Sequence, residues 1–369
     1  MSEPAPSEPA PSEPAPSEPA PSSAPWTLPR GDEDQPHLAG LGERPFVPVF
    51  VMGLHRSGTT WLYEQLDRLL PVASVTAHAA LAYPRLLDLA ARGALEADRA
   101  ALDAHFQQLG LTDRQIDAIR LHHGMVEEYA WVLLARAGRL RLDARTAPLL
   151  SELCRKLLVT RPEAAGHGVV LLKSPWDCGR GAEIKALFPQ ARFVFIHRDP
   201  LRIVDSQLRN GLLFKTTETP YLDSLIAPSR LARFVFGGQR LFSRLVGERV
   251  FAALAARSVM KDVISALHGY RRSWEAVPAA DRIEVGYEDL LREPAVHLSR
   301  VIAFLGLEPR EDPASVQPKP RERPLHPAVE ARREAFLRQL EREGLSPAAA
   351  VQGAGGAQDA AGVAGEAPG

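Results

Sequence analysis

FVPVFVMGLHRSGTTW, Phe46 to Trp61, decides how this chain is read. Its first seven residues are an apolar, β-branched run of strand length that turns into a glycine-containing loop. Beyond Gly58, the residues Trp61, Leu62, Leu66, Leu69 and Leu70 fall on one helical face. A loop between a strand and a helix N-terminus is a ready anion site. Gly53 and Gly58 permit a tight turn, successive backbone N–H groups form a concave nest, and the helix adds its positive end. The hydroxyls of Ser57, Thr59 and Thr60 can donate to phosphate oxygens, and Arg56 brings a fixed cationic fork.

Outward from this stretch, Val169–Leu172, Arg192–Ile196 and Arg282–Val285 are further buried-strand candidates. Helical patterns separate them at 181–188, 201–213, 261–276 and 294–305. Apolar strands alternating with helices predict an α/β fold, a P-loop-NTPase-like central parallel sheet flanked by helices. Right-handed crossovers then bring the strand ends, and the site, to one sheet edge. Residues 85–165 and much of 222–276 read as helical insertions over that edge, where an acceptor would be held. Leu325–Glu343 reads as a final amphipathic helix.

The predicted folded domain runs from 45 to 345. Before it lies a Pro-rich leader, residues 1–44, with four tandem SEPAP copies at 2–21. After it comes an Ala/Gly-rich tail, 346–369. Neither end has much to bury, so the leader is expected to be an extended spacer and the tail to remain unfolded. The 44 basic and 45 acidic residues leave a net charge of −1, which excludes a global polyanion-binding signature. Nucleic acid is therefore not an expected partner. No run of eighteen apolar residues is present to span a membrane, and the N-terminus lacks a secretory-signal pattern. Cys154 and Cys178 are the only cysteines, with no paired metal-like spacing, which points to reduced thiols and a cytoplasmic protein.

The spacing of residues 53–60 fits the Walker pattern GxxxxGK[ST], but Thr59 stands at the lysine position. An ordinary kinase or ATPase would lack a main charge-stabilising group. Other strand ends carry Lys173-Ser174-Pro175 and His197-Arg198-Asp199-Pro200, cationic sites rather than metal sites, so no metal is expected. A kinase-like phosphotransferase stays open as an alternative reading. So does a catalytically silent nucleotide-binding scaffold with the leader as its interaction arm.

Three segments in order, RSGTTW (Arg56–Trp61), FVFIHRDPLRIVDS (Phe193–Ser206) and YEDLLREPAVHLSRVIAFLGL (Tyr287–Leu307), resemble the sulfotransferases that use 3′-phosphoadenosine-5′-phosphosulfate (PAPS). The resemblance implies sulfuryl transfer from PAPS to a hydroxyl acceptor, a small molecule, carbohydrate or lipid. It implies that Arg56, Ser57, Gly58, Thr59 and Thr60 hold the 5′-phosphosulfate and that Trp61 stacks on the adenine. Arg198 and Ser206 would bind the 3′-phosphate, and Tyr287 would contact the adenine. Lys173, like the family's strand-end lysine, would reach the bridging oxygen, with Arg56 adding charge stabilisation.

The acceptor's proton needs a base. Where several relatives carry a glutamate, Val75–Leu81 contains no acid, and His78 is the only side chain there able to accept a proton near neutral pH. Glu127 and Glu128 are the reserve candidates. The basic run Lys319–Arg323 is a further candidate for closing over the 3′-phosphate.

Overall fold

The structure, a computed structural model, describes residues 26–29, 31–114, 119–216, 221, 225, 248–318 and 323–345. The SEPAP repeats, the tail and all of the basic run but Arg323 lie outside the described residues, as does most of 217–247.

The alternation seen in the sequence folds into one parallel sheet. Its strands are β1 (Val47–Met52), β2 (Ala73–Ser74), β3 (Val169–Lys173), β4 (Arg192–His197) and β5 (Arg282–Gly286). Their spatial order is β2-β3-β1-β4-β5, so β1 lies at the centre. Pro48 can donate no ladder hydrogen bond, and it sits where β1 pairs with β3 alone, since the β4 register begins at Val49 opposite Arg192. The period-two alternation of a strand sends Val49 and Val51 into one core and Phe50 and Met52 into the other.

The principal helices are α1 (Thr59–Leu69), α2 (Ala77–Leu81), α3 (Leu95–Gln108), α4 (Tyr129–Ala137), α5 (Ala147–Thr160), α6 (Gly181–Leu187), α7 (Pro200–Thr216), α8 (Glu248–Ala276), α9 (Tyr287–Arg292), α10 (Pro294–Leu305) and α11 (Arg333–Arg342). α1 and α10 cover one face of the sheet, while α5 to α8 and α11 cover the other. A third cluster, which includes Ala77, Leu102, Phe106, Met125 and Trp131, joins α2, α3 and α4 into the expected helical insertion.

One difference from the sequence reading moves the domain boundary: the fold begins before 45, because Trp26 and Asp34, placed in the unfolded leader, are buried and Asp34 pairs with Lys156 at 2.9 Å. The other differences are local. β2 is only two residues long, too short to show as an apolar run. The helix expected at 261–276 is the second half of a 29-residue α8. The final amphipathic segment breaks into a turn, Pro327–Glu330, and α11. Both cysteines are free, and burial raises both thiols, Cys178 to about 12. Among the described residues no helix is long and apolar enough to cross a membrane.

Candidate active site

The cradle is the turn between β1 and α1, and its glycines are required by space. A Cβ on Gly53 would lie 2.7 Å from the Ile196 carbonyl oxygen on β4. Gly58 has φ +98°, and a Cβ there would overlap the Tyr287 ring at 2.2 Å. Arg56 is the one non-glycine residue with positive φ, +73°, among the described residues. Left-handed backbone at a non-glycine residue costs roughly 1 kcal/mol or more and persists where its surroundings enforce it.

Those surroundings come from the end of β4 and the helix after it, at least 142 residues further along the chain. Arg198 Nη1 donates to the Arg56 carbonyl at 3.0 Å, and Gln207 Nε2 donates to the His55 carbonyl at 2.9 Å. The Arg56 Nε donates to Ser206 Oγ at 3.0 Å. The Arg198 guanidinium also lies over the Tyr287 ring, 4.5 Å from its centre. Two polar atoms in this assembly are buried without a hydrogen-bond partner among the described residues, Ser57 Oγ and Arg198 Nε. Buried donors of that kind are rare in a finished structure and fit a bound polyanion. Trp61 is half-buried against the α1 face of the sheet core.

Beside the cradle, β3 ends at Lys173, whose register partner on β1 is Val51. Its ammonium is buried and donates to Glu128 at 2.9 Å. Glu128 immediately precedes α4, and that helix start is pinned because the Tyr129 hydroxyl donates to Asp177 at 2.6 Å. Burial pushes the Glu128 carboxyl up, but Lys173 and His55 outweigh it and hold the group below the usual carboxylate range. The His55 ring meets Trp176 edge-on at 4.8 Å. Burial lowers the pKa of His55 from its ordinary value, with Glu128 acting in the opposite direction.

A model of the sulfotransferase family matches residues 48–312. The chain belongs to the sulfotransferase family. No curated protein matches it. Among solved structures it is similar to sulfotransferase STF1 from Mycobacterium tuberculosis, at 19% identity over 76% of this chain and 72% of that one, with a TM-score of 0.49. It is also similar to sulfotransferase STF9 from Mycobacterium avium, at 17% identity over 83% and 71%, with a TM-score of 0.47.

In this sulfotransferase, Arg56, Ser57, Gly58, Thr59, Thr60, Arg198, Ser206 and Tyr287 come together around one turn, although they derive from three distant segments. Lys173 and Glu128 stand next to it. His78 is placed differently. Its ring is buried and bonded through Nε2 to Asp98 at 2.9 Å, and Asp98 also pairs with Arg85 and accepts from Trp26 Nε1. Burial lowers the His78 pKa, with Asp98 opposing. Glu127 is sealed at 0% exposure and paired with Arg114 at 2.8 Å, and burial raises it above the usual range.

His78→Ala is therefore expected to leave an aspartate short of a buried partner, a loss of about 1–3 kcal/mol of stability. Turnover should fall less than tenfold. Thermal melting and steady-state kinetics check this, and a loss of about 10²–10⁴ in turnover would return the base to His78.

The sequence reading missed His55 and Trp176. His55 stood inside the quoted loop, a proton-accepting side chain one residue before the loop arginine. Trp176 lay just beyond the strand-end lysine. Neither was given a role.

Proposed function

We propose that this protein transfers a sulfuryl group from PAPS to a hydroxyl of a small molecule, carbohydrate or lipid, in line and without a metal ion. The observation that carries the reading is the convergence of Arg56, Ser206, Arg198 and Tyr287 on a glycine turn with two unspent buried donors. When bound, PAPS supplies a sulfuryl group on a phosphate leaving group, whose 3′-phosphate distinguishes it from ATP-like nucleotides.

The chain's residues divide the work by position. Ser57, Thr59, Thr60 and the first amides of α1 hold the 5′ anionic end, with Arg56 as the fixed cation. Arg198 and Ser206 hold the 3′-phosphate, and Tyr287 and Trp61 flank the base. Lys173 supplies positive charge at the leaving oxygen, where charge develops in the transition state. Glu128 keeps that ammonium aimed while Lys173 waits for the nucleotide. The folded transferase unit takes in residues 45 to 345 together with the segment before them that carries Trp26 and Asp34, both buried against it, and the two free thiols suit a reducing compartment such as the cytoplasm.

The functional test is transfer of label from radiolabelled PAPS into a small-molecule extract, with mass identification of the product. Transfer should continue in EDTA, because the cradle is built from hydroxyls, amides and guanidinium groups. A strict magnesium requirement together with phosphate transfer from ATP would instead establish the kinase-like alternative.

A further inference from the structure

Three proton-accepting groups suggested by the sequence are each occupied. His78 is committed to Asp98, Glu127 to Arg114, and Glu128 to Lys173. All three are buried, at 1%, 0% and 7% exposure. An acceptor hydroxyl must meet a base that is open to it and free to change its hydrogen bonds.

One further group beside Lys173 satisfies both conditions. His55 belongs to the cradle turn itself, two residues before Ser57, and is half-buried rather than sealed. Its backbone carbonyl is held by Gln207 at 2.9 Å, so the residue is fixed in place. Its ring is steadied edge-on against Trp176 at 4.8 Å, while its two ring nitrogens have no hydrogen-bond partner among the described residues. Trp176 follows Lys173 by three positions, and its indole Nε1 is likewise buried without a partner. Two unspent polar groups, an imidazole and an indole N–H, thus flank the Lys173–Glu128 pair on the loop's side.

We propose that His55 is the base that takes the acceptor's proton, with Glu128 as the counter-charge for the imidazolium that forms. This rests on the PAPS reading above. In the step, the acceptor O–H bond breaks and its proton goes to a ring nitrogen of His55. The acceptor oxygen forms the new S–O bond. The S–O bond to the nucleotide phosphate breaks, its electron pair staying on the phosphate oxygen beside Lys173 and Arg56. The imidazolium later gives its proton to solvent, which the part-buried ring still reaches. A neutral imidazole beside an ionised carboxylate has the charge logic of a histidine–aspartate pair, in which the carboxylate stabilises the cation without itself taking the proton.

The charged groups acting on the ring are Glu128, which favours its protonation, and Lys173 and Arg56, which oppose it. Burial is the largest influence, and with the two cations it lowers the ring's pKa from its ordinary value. The active form is the unprotonated one, so turnover should rise with pH through an apparent pKa below about 6.5 and then level off.

The test has two arms. In the first, His55→Ala and His55→Gln are assayed for label transferred from radiolabelled PAPS into the small-molecule extract, with calorimetry of 3′-phosphoadenosine-5′-phosphate (PAP) as the control. Turnover is expected to fall about 10²–10⁴-fold with PAP affinity unchanged and the acid limb lost, and added imidazole should partly restore the alanine variant. A variant that keeps more than about a tenth of turnover, or keeps the acid limb, overturns the proposal.

In the second arm, NMR follows the His55 ring through a pH titration in the wild type and in Glu128→Gln. Removing the carboxylate should lower the pKa of His55 further. No change on Glu128→Gln overturns the counter-charge even if no acceptor in the extract is used. Absence of both PAP binding and label transfer in the wild type is the separate failure of the PAPS reading itself.

Discussion

Lys173→Ala is expected to lower turnover by about 10²–10³-fold, the scale of removing one group aimed at developing charge in a transition state. The ammonium is buried at the end of β3 and donates to Glu128 at 2.9 Å. On the proposal that Lys173 acts at the leaving oxygen, its contribution is to the bond that breaks and not to ground-state binding. PAP affinity should change by no more than about threefold while kcat falls, the pattern of an interaction made mainly in the transition state. The alanine variant leaves Glu128 buried without its counter-ion, a defect that costs several kcal/mol of stability. Kinetics therefore belong well below the melting temperature, with Lys173→Ala/Glu128→Gln as the companion that removes both charges. Because Glu128 also serves His55, the double variant is read against Glu128→Gln alone: a stable double variant about 10²–10³-fold below that single variant makes the Lys173 loss chemical. If it recovers turnover, Lys173 serves only to hold Glu128.

The second large effect concerns the nucleotide. Arg198→Ala should weaken PAP binding by about 1.5–3 kcal/mol, which is about 10- to 150-fold, through loss of a charge-assisted hydrogen bond. Arg198 also supports the Arg56 carbonyl and covers Tyr287, so a simple loosening of the turn would weaken all nucleotides alike. Ser206→Ala separates the two effects. Ser206 meets the turn through the Arg56 Nε bond, and its loss should again weaken PAP more than adenosine 5′-phosphate. Paired calorimetric titrations of both ligands on both variants give the answer. Equal losses for the two ligands would remove the 3′-phosphate from this segment.

What could be read in the sequence follows from the range of the forces involved. β1, the turn and α1 are one local unit, and the apolar run, the two glycines and the helical face are all written within residues 46–70. The same holds for β3 and β4, where four consecutive apolar residues mark a strand buried on both faces. β2 was not legible because Ala73 and Ser74 pair only with β3 and carry no pattern of their own.

In the site, Arg198 and Ser206 could be placed because a strand end and a helix start bracket them. That Glu128 is committed to Lys173 could not be read, because Lys173 lies 45 residues away and reaches it only through the fold. His78 looked available for the converse reason. Asp98, which engages it, sits 20 residues further on in a different helix. His55 was visible as a residue, but what it faces was not.

The most direct measurement is calorimetric titration of the wild-type protein with PAP and with adenosine 5′-phosphate under identical salt and pH. The convergence of Arg56, Arg198 and Ser206 on one turn predicts that PAP binds about 10- to 150-fold more tightly, without added magnesium. Equal affinities, or tight binding of ATP only in the presence of magnesium, would contradict a PAPS site.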